Sequence, residues 1–144
     1  MVVAYREQSN AAGVVVVSPR RHALAGKRVL IVEDEALLAM DHAMSLAEAG
    51  AEIVGTFATV RGALAYLDKA PIDVAVVDFV LADRNSEPLQ AALKARQIPF
   101  VVVSAFPPPL VRTGLAQDVL QKPVAPWQLC RRVEAVCRRG AKGS

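Results

Sequence analysis

The sequence predicts an α/β fold in which helices cover both faces of a doubly wound, five-stranded parallel sheet. Short apolar runs rich in β-branched residues occur at residues 28–32, 74–77 and 100–103. They lack the polar alternation of half-exposed strands, so both of their faces should be buried. The segments between them carry apolar residues at helical spacing. Strands that alternate with helices form a parallel sheet joined by right-handed crossovers.

The predicted elements alternate along the chain. Strands are expected at residues 28–33, 51–57, 74–78, 100–104 and, more weakly, 118–121. Helices are expected at residues 35–49, 59–67, 88–96, 110–116 and 126–138. Gly50 suits the left-handed end of the first helix, and Thr59 suits the N-cap of the second. The fourth helix should be short, because the three prolines at 107–109 cannot lie in a helix interior.

The length of 144 residues suits one domain. We expect residues 1–26 to form an N-terminal tail and residues 27–144 to form the domain. The role of the valines at 14–17 stays open. No apolar run reaches the roughly 20 residues that span a bilayer, and no secretory leader is recognisable, so a cytoplasmic protein is expected.

The net charge of +3 is spread unevenly, with basic ends and a mildly acidic body. Basic ends can contact nucleic acid, but no helix-turn-helix or zinc-finger pattern accompanies them, so nucleic-acid binding is not expected. Cys130 and Cys137 lie seven residues apart on one predicted helix. Two helical turns separate them by roughly 11 Å, too far for a disulfide, and we expect both thiols to be reduced.

Polar residues stand at the carboxyl ends of four of the predicted strands: Glu33 and Asp34, then Asp78, then Ser104, then Lys122. Each alone is ordinary, since an Asp at a strand end is more often a helix cap or turn residue than a catalytic group. The carboxyl ends of parallel strands meet at one edge of a sheet, where open α/β folds bind their ligands. The sequence therefore predicts a single site at this edge.

Three carboxylates in one site would repel one another and bind protons unless a cation relieved them. Mg²⁺ suits such a site, because it prefers a few carboxylates together with water and phosphoryl oxygens. An Asp carboxylate relieved in this way can act as a nucleophile toward phosphorus.

The acidic pair, the lone Asp, Ser104-Ala105 and Lys122-Pro123 together resemble the receiver domain of bacterial two-component response regulators, which has a flavodoxin-like fold. The resemblance covers about residues 27–139 and implies the strand order 2-1-3-4-5. It implies that a histidine kinase or phosphotransfer protein phosphorylates Asp78, assisted by Ser104 and Lys122. It also implies Mg²⁺ ligands at Glu33, Asp34, Asp78 and the backbone carbonyl of Val80.

The sequence departs from this family at several positions. Ala82 and Ser86 stand about where receivers commonly carry Pro and Gly, so the geometry of that loop is open. Val119 replaces an aromatic residue that rotates inward on activation, so we expect the signal to pass through Ser104 and the proline-bearing loop instead. The positions that influence the hydrolytic water are the apolar Val80 and Phe106, which predicts slow loss of the phosphoryl group.

We expect a stand-alone signalling protein that assists its own phosphorylation and acts by protein contact, by onward phosphotransfer or as a phosphate sink. The expected contact surface is the fourth helix, the fifth strand and the last helix, which carries Trp127. One alternative is a pseudo-receiver, a binding module that phosphorylation does not regulate. Another is an aspartyl phosphatase of the haloacid dehalogenase type, but that family needs a second Asp where Val80 stands.

Overall fold

A parallel five-stranded sheet organises the computed structural model, which describes residues 5–9, 15–19, 22–106 and 118–142. Its strands are β3 (Arg28–Val32), β4 (Glu52–Phe57), β5 (Val74–Asp78), β6 (Phe100–Ser104) and β7 (Asp118–Gln121). They lie in the order β4-β3-β5-β6-β7, and every neighbouring pair is parallel. Counted within this sheet, the order is 2-1-3-4-5, which confirms the predicted fold class.

Four helices are present in the described part of the chain: α1 (Ala36–Glu48), α2 (Val60–Tyr66), α3 (Glu87–Ala95) and α4 (Pro126–Lys142). The short helix expected at residues 110–116 lies outside the described residues. The last helix continues past residue 138, where we expected it to end. Arg138 and Arg139 lie near its end, where basic side chains interact favourably with the helix dipole.

Two short strands are described within the expected N-terminal tail. Strands β1 (Tyr5–Ser9) and β2 (Val15–Pro19) pair antiparallel as a separate two-stranded sheet. The expected division between residues 26 and 27 stays a prediction. Leu24 is nevertheless buried, and its N–H donates to the Ala49 carbonyl at 2.8 Å. The segment just before residue 27 therefore packs against the end of α1.

Two hydrophobic clusters cover the two faces of the sheet. One joins the sheet to α1 and α4, and the other joins it to α2 and α3. All five residues of β5 are buried as a result, and so are all five of β6. This two-sided burial explains why these strands read as continuous apolar runs. In the described residues, no helix is both long and apolar enough to cross a membrane.

Three side chains with reactive groups are buried in the helices that cover the sheet: His42, Cys130 and Cys137. His42 is buried on α1, and burial lowers the pKa of its imidazole. Cys130 and Cys137 are free and buried, and burial raises the pKa of each thiol to about 11. Both cysteines are therefore protonated and unreactive at neutral pH.

Gly50 joins α1 to β4 in a conformation that only glycine adopts easily. Its φ is +100°, and an added Cβ would lie 3.1 Å from the backbone of Ala25. Gly26 also has a positive φ, +74°, but nothing lies within 4 Å of the place where its Cβ would be. Substitution of Gly26 therefore tests backbone strain alone, whereas substitution of Gly50 tests backbone strain together with a steric contact.

We expect Gly50→Ala to lower the free energy of unfolding more than Gly26→Ala does. Gly26→Ala should cost about 1–2 kcal/mol, because only the left-handed backbone is penalised. Gly50→Ala adds the contact with Ala25 to that penalty. Urea unfolding of both variants measures the difference, and an equal or smaller loss for Gly50→Ala would contradict the steric argument.

Candidate functional site

Residues at the carboxyl ends of β3, β5, β6 and β7 meet at one edge of the sheet. Asp78 is the last residue of β5, which lies between β3 and β6. Glu33 and Asp34 follow β3, and Ser104 ends β6. The predicted convergence of these residues at one edge is therefore present in the structure.

Lys122 brings a positive charge into this edge from the far side of β6. Its Nζ lies 2.9 Å from Asp78 Oδ2 and 3.1 Å from Glu33 Oε1. Its backbone N–H donates to the Ser104 carbonyl at 2.7 Å, which fixes where the side chain starts. Sequence reasoning missed Glu35, whose Oε1 lies 4.0 Å from the same Nζ. One ammonium group thus contacts two buried carboxylates and a third at the surface.

Three carboxylates face one another beside this lysine. One oxygen from each of Glu33, Asp34 and Asp78 lies within 4.8 Å of the other two. Glu33 is 4% exposed and Asp78 is 6% exposed, whereas Asp34 is open to solvent. Hard oxygen donors grouped around an opening to solvent are the ligands that Mg²⁺ prefers, so the donor set fits this ion.

The carboxylates carry more negative charge than Lys122 offsets. Burial and the neighbouring Glu33 together raise the pKa of Asp78 to about 6, although Lys122 acts to lower it. Burial and Glu33 likewise raise the pKa of Asp34. Burial also acts to raise the pKa of Glu33, but hydrogen bonds from the Glu35 N–H and Lys122 reverse this, so its pKa is lowered. Ionised Asp78 is therefore costly in the folded protein without a further cation.

The same interactions favour the charged form of Lys122. Burial acts to lower the pKa of its ammonium group, but the bonds and charges of Asp78 and Glu33 prevail and raise it. The side chain consequently stays charged at neutral pH.

Ser104 is buried on the strand next to β5, with 1% of its surface exposed. Its Oγ accepts the backbone N–H of Phe106 at 2.9 Å. A hydroxyl that accepts one bond keeps its own hydrogen for donation. Ser104 is therefore held in place from the loop side and still has a donor to offer.

The segment after Asp78, whose geometry the sequence left open, is a narrow hairpin. Ser86 N–H donates to the Phe79 carbonyl at 2.8 Å, and Leu81 N–H donates to the Arg84 carbonyl at 3.0 Å. Val80 forms an antiparallel bridge with Asn85 between these two bonds. We define residues 79–86 as the β5–α3 hairpin.

Ser86, which stands where receivers commonly carry glycine, is compatible with the backbone conformation of this hairpin. Ser86 has a φ of −90°, so the position does not need the glycine that receivers commonly carry there. Its side chain is fully buried, and its Oγ accepts a hydrogen bond from Gln90 Nε2 at 3.1 Å. Ser86 therefore has a packing role at the start of α3.

Sequence reasoning also missed Asp83, at the tip of the hairpin. Its two carboxylate oxygens accept the backbone N–H groups of Val60 and Arg61, at 2.9 and 3.1 Å. An Asp in a polar loop is too common to identify such a contact across 22 residues of chain. No periodicity or spacing in the sequence signals it.

Comparison with known proteins identifies the matching family. The family model for the response regulator receiver domain matches residues 29–134. The sensory transduction protein RegX3 of Mycolicibacterium smegmatis is 35% identical over 122 residues, which are 78% of this chain and 51% of the relative. The transcriptional regulatory protein PdtaR of Mycobacterium tuberculosis is 36% identical over 81 residues, 56% of this chain and 40% of the relative. The chain spans about half the length of the curated relatives it matches.

Solved structures agree with this match. A CheY-like receiver domain protein from Methanospirillum hungatei superimposes with a TM-score of 0.74 at 23% identity, covering 83% of this chain and all of that one. The response regulator PhyR of Brucella abortus gives a TM-score of 0.72 at 28% identity, covering 86% of this chain and 52% of that one.

In metal-free protein, we expect Asp78→Asn to raise the free energy of unfolding near pH 7.5. The folded-state pKa of about 6 lies above the unfolded value of about 3.9, so the folded state binds this proton more tightly. Stability is therefore lost as the pH rises from about 4 to about 6, and the full cost of about 1–3 kcal/mol remains above that range. Asparagine removes this cost.

Urea unfolding in the presence of a chelator tests this near pH 7.5 and near pH 4. The gain should nearly disappear at the lower pH, where the Asp78 carboxyl is protonated in the folded state. Asp41→Asn, which removes an exposed carboxylate from α1, is the matched control and should change little. A gain that is absent, or that does not depend on pH, would refute the argument.

Proposed function

Because this chain belongs to the response regulator receiver family, we propose that it is a signalling protein that accepts a phosphoryl group on Asp78 in an Mg²⁺-dependent reaction. The donor would be a histidine kinase or a phosphotransfer protein. The observation that best supports the proposal is the contact of Lys122 Nζ with Asp78 Oδ2 at 2.9 Å, beside the carboxylates of Glu33 and Asp34.

The metal would be held by the carboxylates of Glu33, Asp34 and Asp78 and by the backbone carbonyl of Val80. Mg²⁺ supplies positive charge that offsets the carboxylates and binds a phosphoryl oxygen. The fit of the donor set and the raised pKa of Asp78 both support this assignment, because each reflects unneutralised negative charge at the edge of the sheet.

In the proposed reaction, an Asp78 oxygen attacks the phosphorus of a phosphohistidine. The new P–O bond forms as the P–N bond breaks, and the imidazole leaves with the electron pair. Negative charge is spread over three phosphoryl oxygens during transfer. Lys122 is close enough to Asp78 to stabilise one of them, and the Ser104 hydroxyl can donate to another.

The phosphoryl group would change the contacts of two residues. Lys122 now pairs with Asp78 and Glu33, and a phosphoryl oxygen would compete for its ammonium group. The Ser104 hydroxyl now accepts the Phe106 N–H, so turning it toward the phosphoryl group would shift the segment that follows β6. The signal would leave the site through this segment, because Val119 cannot provide an aromatic switch.

We propose that the output contact involves β7 and α4, together with the segment at 110–116 that lies outside the described residues. Trp127 lies in the first turn of α4 and is 38% exposed. Output through a protein contact or through onward phosphotransfer is consistent with this surface. A cytoplasmic location, and the absence of nucleic-acid and membrane partners, stay predictions.

We expect acetyl phosphate with Mg²⁺ to add one phosphoryl group to the protein, measured as intact mass and mapped to Asp78. Berylliofluoride with Mg²⁺ should change the fluorescence of Trp127, because α4 follows the segment that carries Lys122. Asp78→Asn should abolish both responses, and Asp41→Asn should keep them. If the unchanged protein is not labelled by any phosphodonor, the proposal fails and the pseudo-receiver alternative is favoured.

We expect the phosphorylated protein to lose its phosphoryl group over minutes or longer in Mg²⁺. Val80 and Phe106 are 49% and 50% exposed, and neither side chain can orient or activate a water molecule. Val80→Asn and Phe106→Glu should each shorten the half-life, because each adds a group that binds water. Met44→Glu, an equivalent change at an exposed residue of α1, is the control. A half-life of seconds in the unchanged protein would refute this expectation.

A further inference from the structure

The β5–α3 hairpin is fastened to a second element at its tip. Asp83 accepts two backbone N–H groups from the first turn of α2, and the Ala82 N–H points to the Ala58 carbonyl at 3.5 Å. The hairpin starts at Phe79, directly after the strand that ends in Asp78. Its tip is therefore tied to one rigid element while its base emerges from another.

The two bonds made by Asp83 are charge-assisted bonds of an exposed carboxylate. The first N–H groups of a helix have no partner within the helix, and a carboxylate is the acceptor that they favour. The first of these bonds, from Val60, lowers the pKa of Asp83, so the carboxylate is charged at neutral pH. Val60 and Ala63 of α2 are buried in the core, so the helix that Asp83 contacts is held in place.

The need for a cap on α2 does not by itself explain why Asp83 bonds to this helix. Thr59, the residue before α2, already caps this helix locally, since its Oγ1 accepts the Gly62 N–H at 3.0 Å. The helix thus has one cap from its own sequence and a second from the hairpin. The particular consequence of the second cap is that it holds the hairpin.

The hairpin needs such an anchor. Two-stranded hairpins are marginally stable on their own, and this one has only a few backbone bonds. Leu81 is buried in the core and fixes one side, whereas Val80 beside it is half exposed. The Val80 carbonyl shares a peptide plane with the Leu81 N–H, which is bonded to Arg84, so its direction follows the placement of the whole hairpin.

We propose that Asp83 is a positioning residue, which holds the hairpin on α2 so that the Val80 carbonyl faces the carboxylates of Glu33, Asp34 and Asp78 and raises the affinity of this site for a divalent cation. The inference rests on the proposed Mg²⁺ site and extends it to a residue outside the ligand set. Release of the tip would leave only part of the population competent to bind the ion, and the apparent dissociation constant rises by the inverse of that fraction.

Two alanine variants of the full chain test this, because Asp83 and Thr59 cap the same helix from different places. We expect Asp83→Ala to raise the Mg²⁺ dissociation constant about five-fold by isothermal titration calorimetry. It should also speed amide hydrogen exchange at residues 79–86 in metal-free protein. Thr59→Ala should lower the midpoint of thermal unfolding and leave both readouts unchanged. Asp83→Asn keeps one acceptor oxygen, so its dissociation constant should fall between those of the unchanged protein and Asp83→Ala.

Several results would overturn the inference. If Asp83→Ala binds Mg²⁺ as tightly as the unchanged protein, or if Thr59→Ala weakens binding equally, Asp83 is only a helix cap. If the unchanged protein binds no Mg²⁺, the inference falls together with the metal part of the proposed function. The titration of the unchanged protein separates that case from a failure of Asp83 alone.

Discussion

The ion pair between Lys122 and the buried carboxylates of Asp78 and Glu33 is the interaction on which the site depends. A buried carboxylate is costly unless a positive charge or several donors accompany it. Asp78 has little contact with solvent, and a second buried carboxylate lies beside it. Without the ammonium group 2.9 Å away, burial and Glu33 would favour the protonated form of Asp78, which is a poor nucleophile.

The sheet order makes this ion pair possible. Strand β5 lies in the middle of the five strands, with β3 on one side and β6 and β7 on the other. The acidic pair therefore approaches Asp78 from one side, and Lys122 approaches from the other side across a single intervening strand. Burial of β5 on both faces then fixes the direction of Asp78, because the strand cannot shift without opening both hydrophobic clusters.

Much of this arrangement follows from local pattern, and the remainder depends on contacts that no local pattern contains. Runs such as residues 74–77 predict buried strands, and parallel strands bring Asp78 and Lys122 to one edge whatever lies between them. The contact of Asp83 with α2 and the burial of Leu24 against α1 join segments distant in sequence. The pairing of β1 with β2 is equally hidden, since the valines there suit an edge strand and a separate hairpin alike.

The hairpin after Asp78 shows how this chain replaces features that are common in its family. A proline restricts the backbone before folding, and a glycine permits conformations that other residues avoid. Ala82 does not restrict the backbone as proline does, and Ser86 does not widen its range as glycine does. The backbone at Ser86 has an ordinary negative φ, so glycine is not needed there. The hairpin is instead held by tertiary contacts. These are the hydrogen bonds of the Asp83 carboxylate to α2 and the burial of Leu81 in the core. Tertiary contacts are lost when either of the elements that they join unfolds locally. The geometry of the hairpin beside Asp78 is therefore linked to α2 as well as to β5.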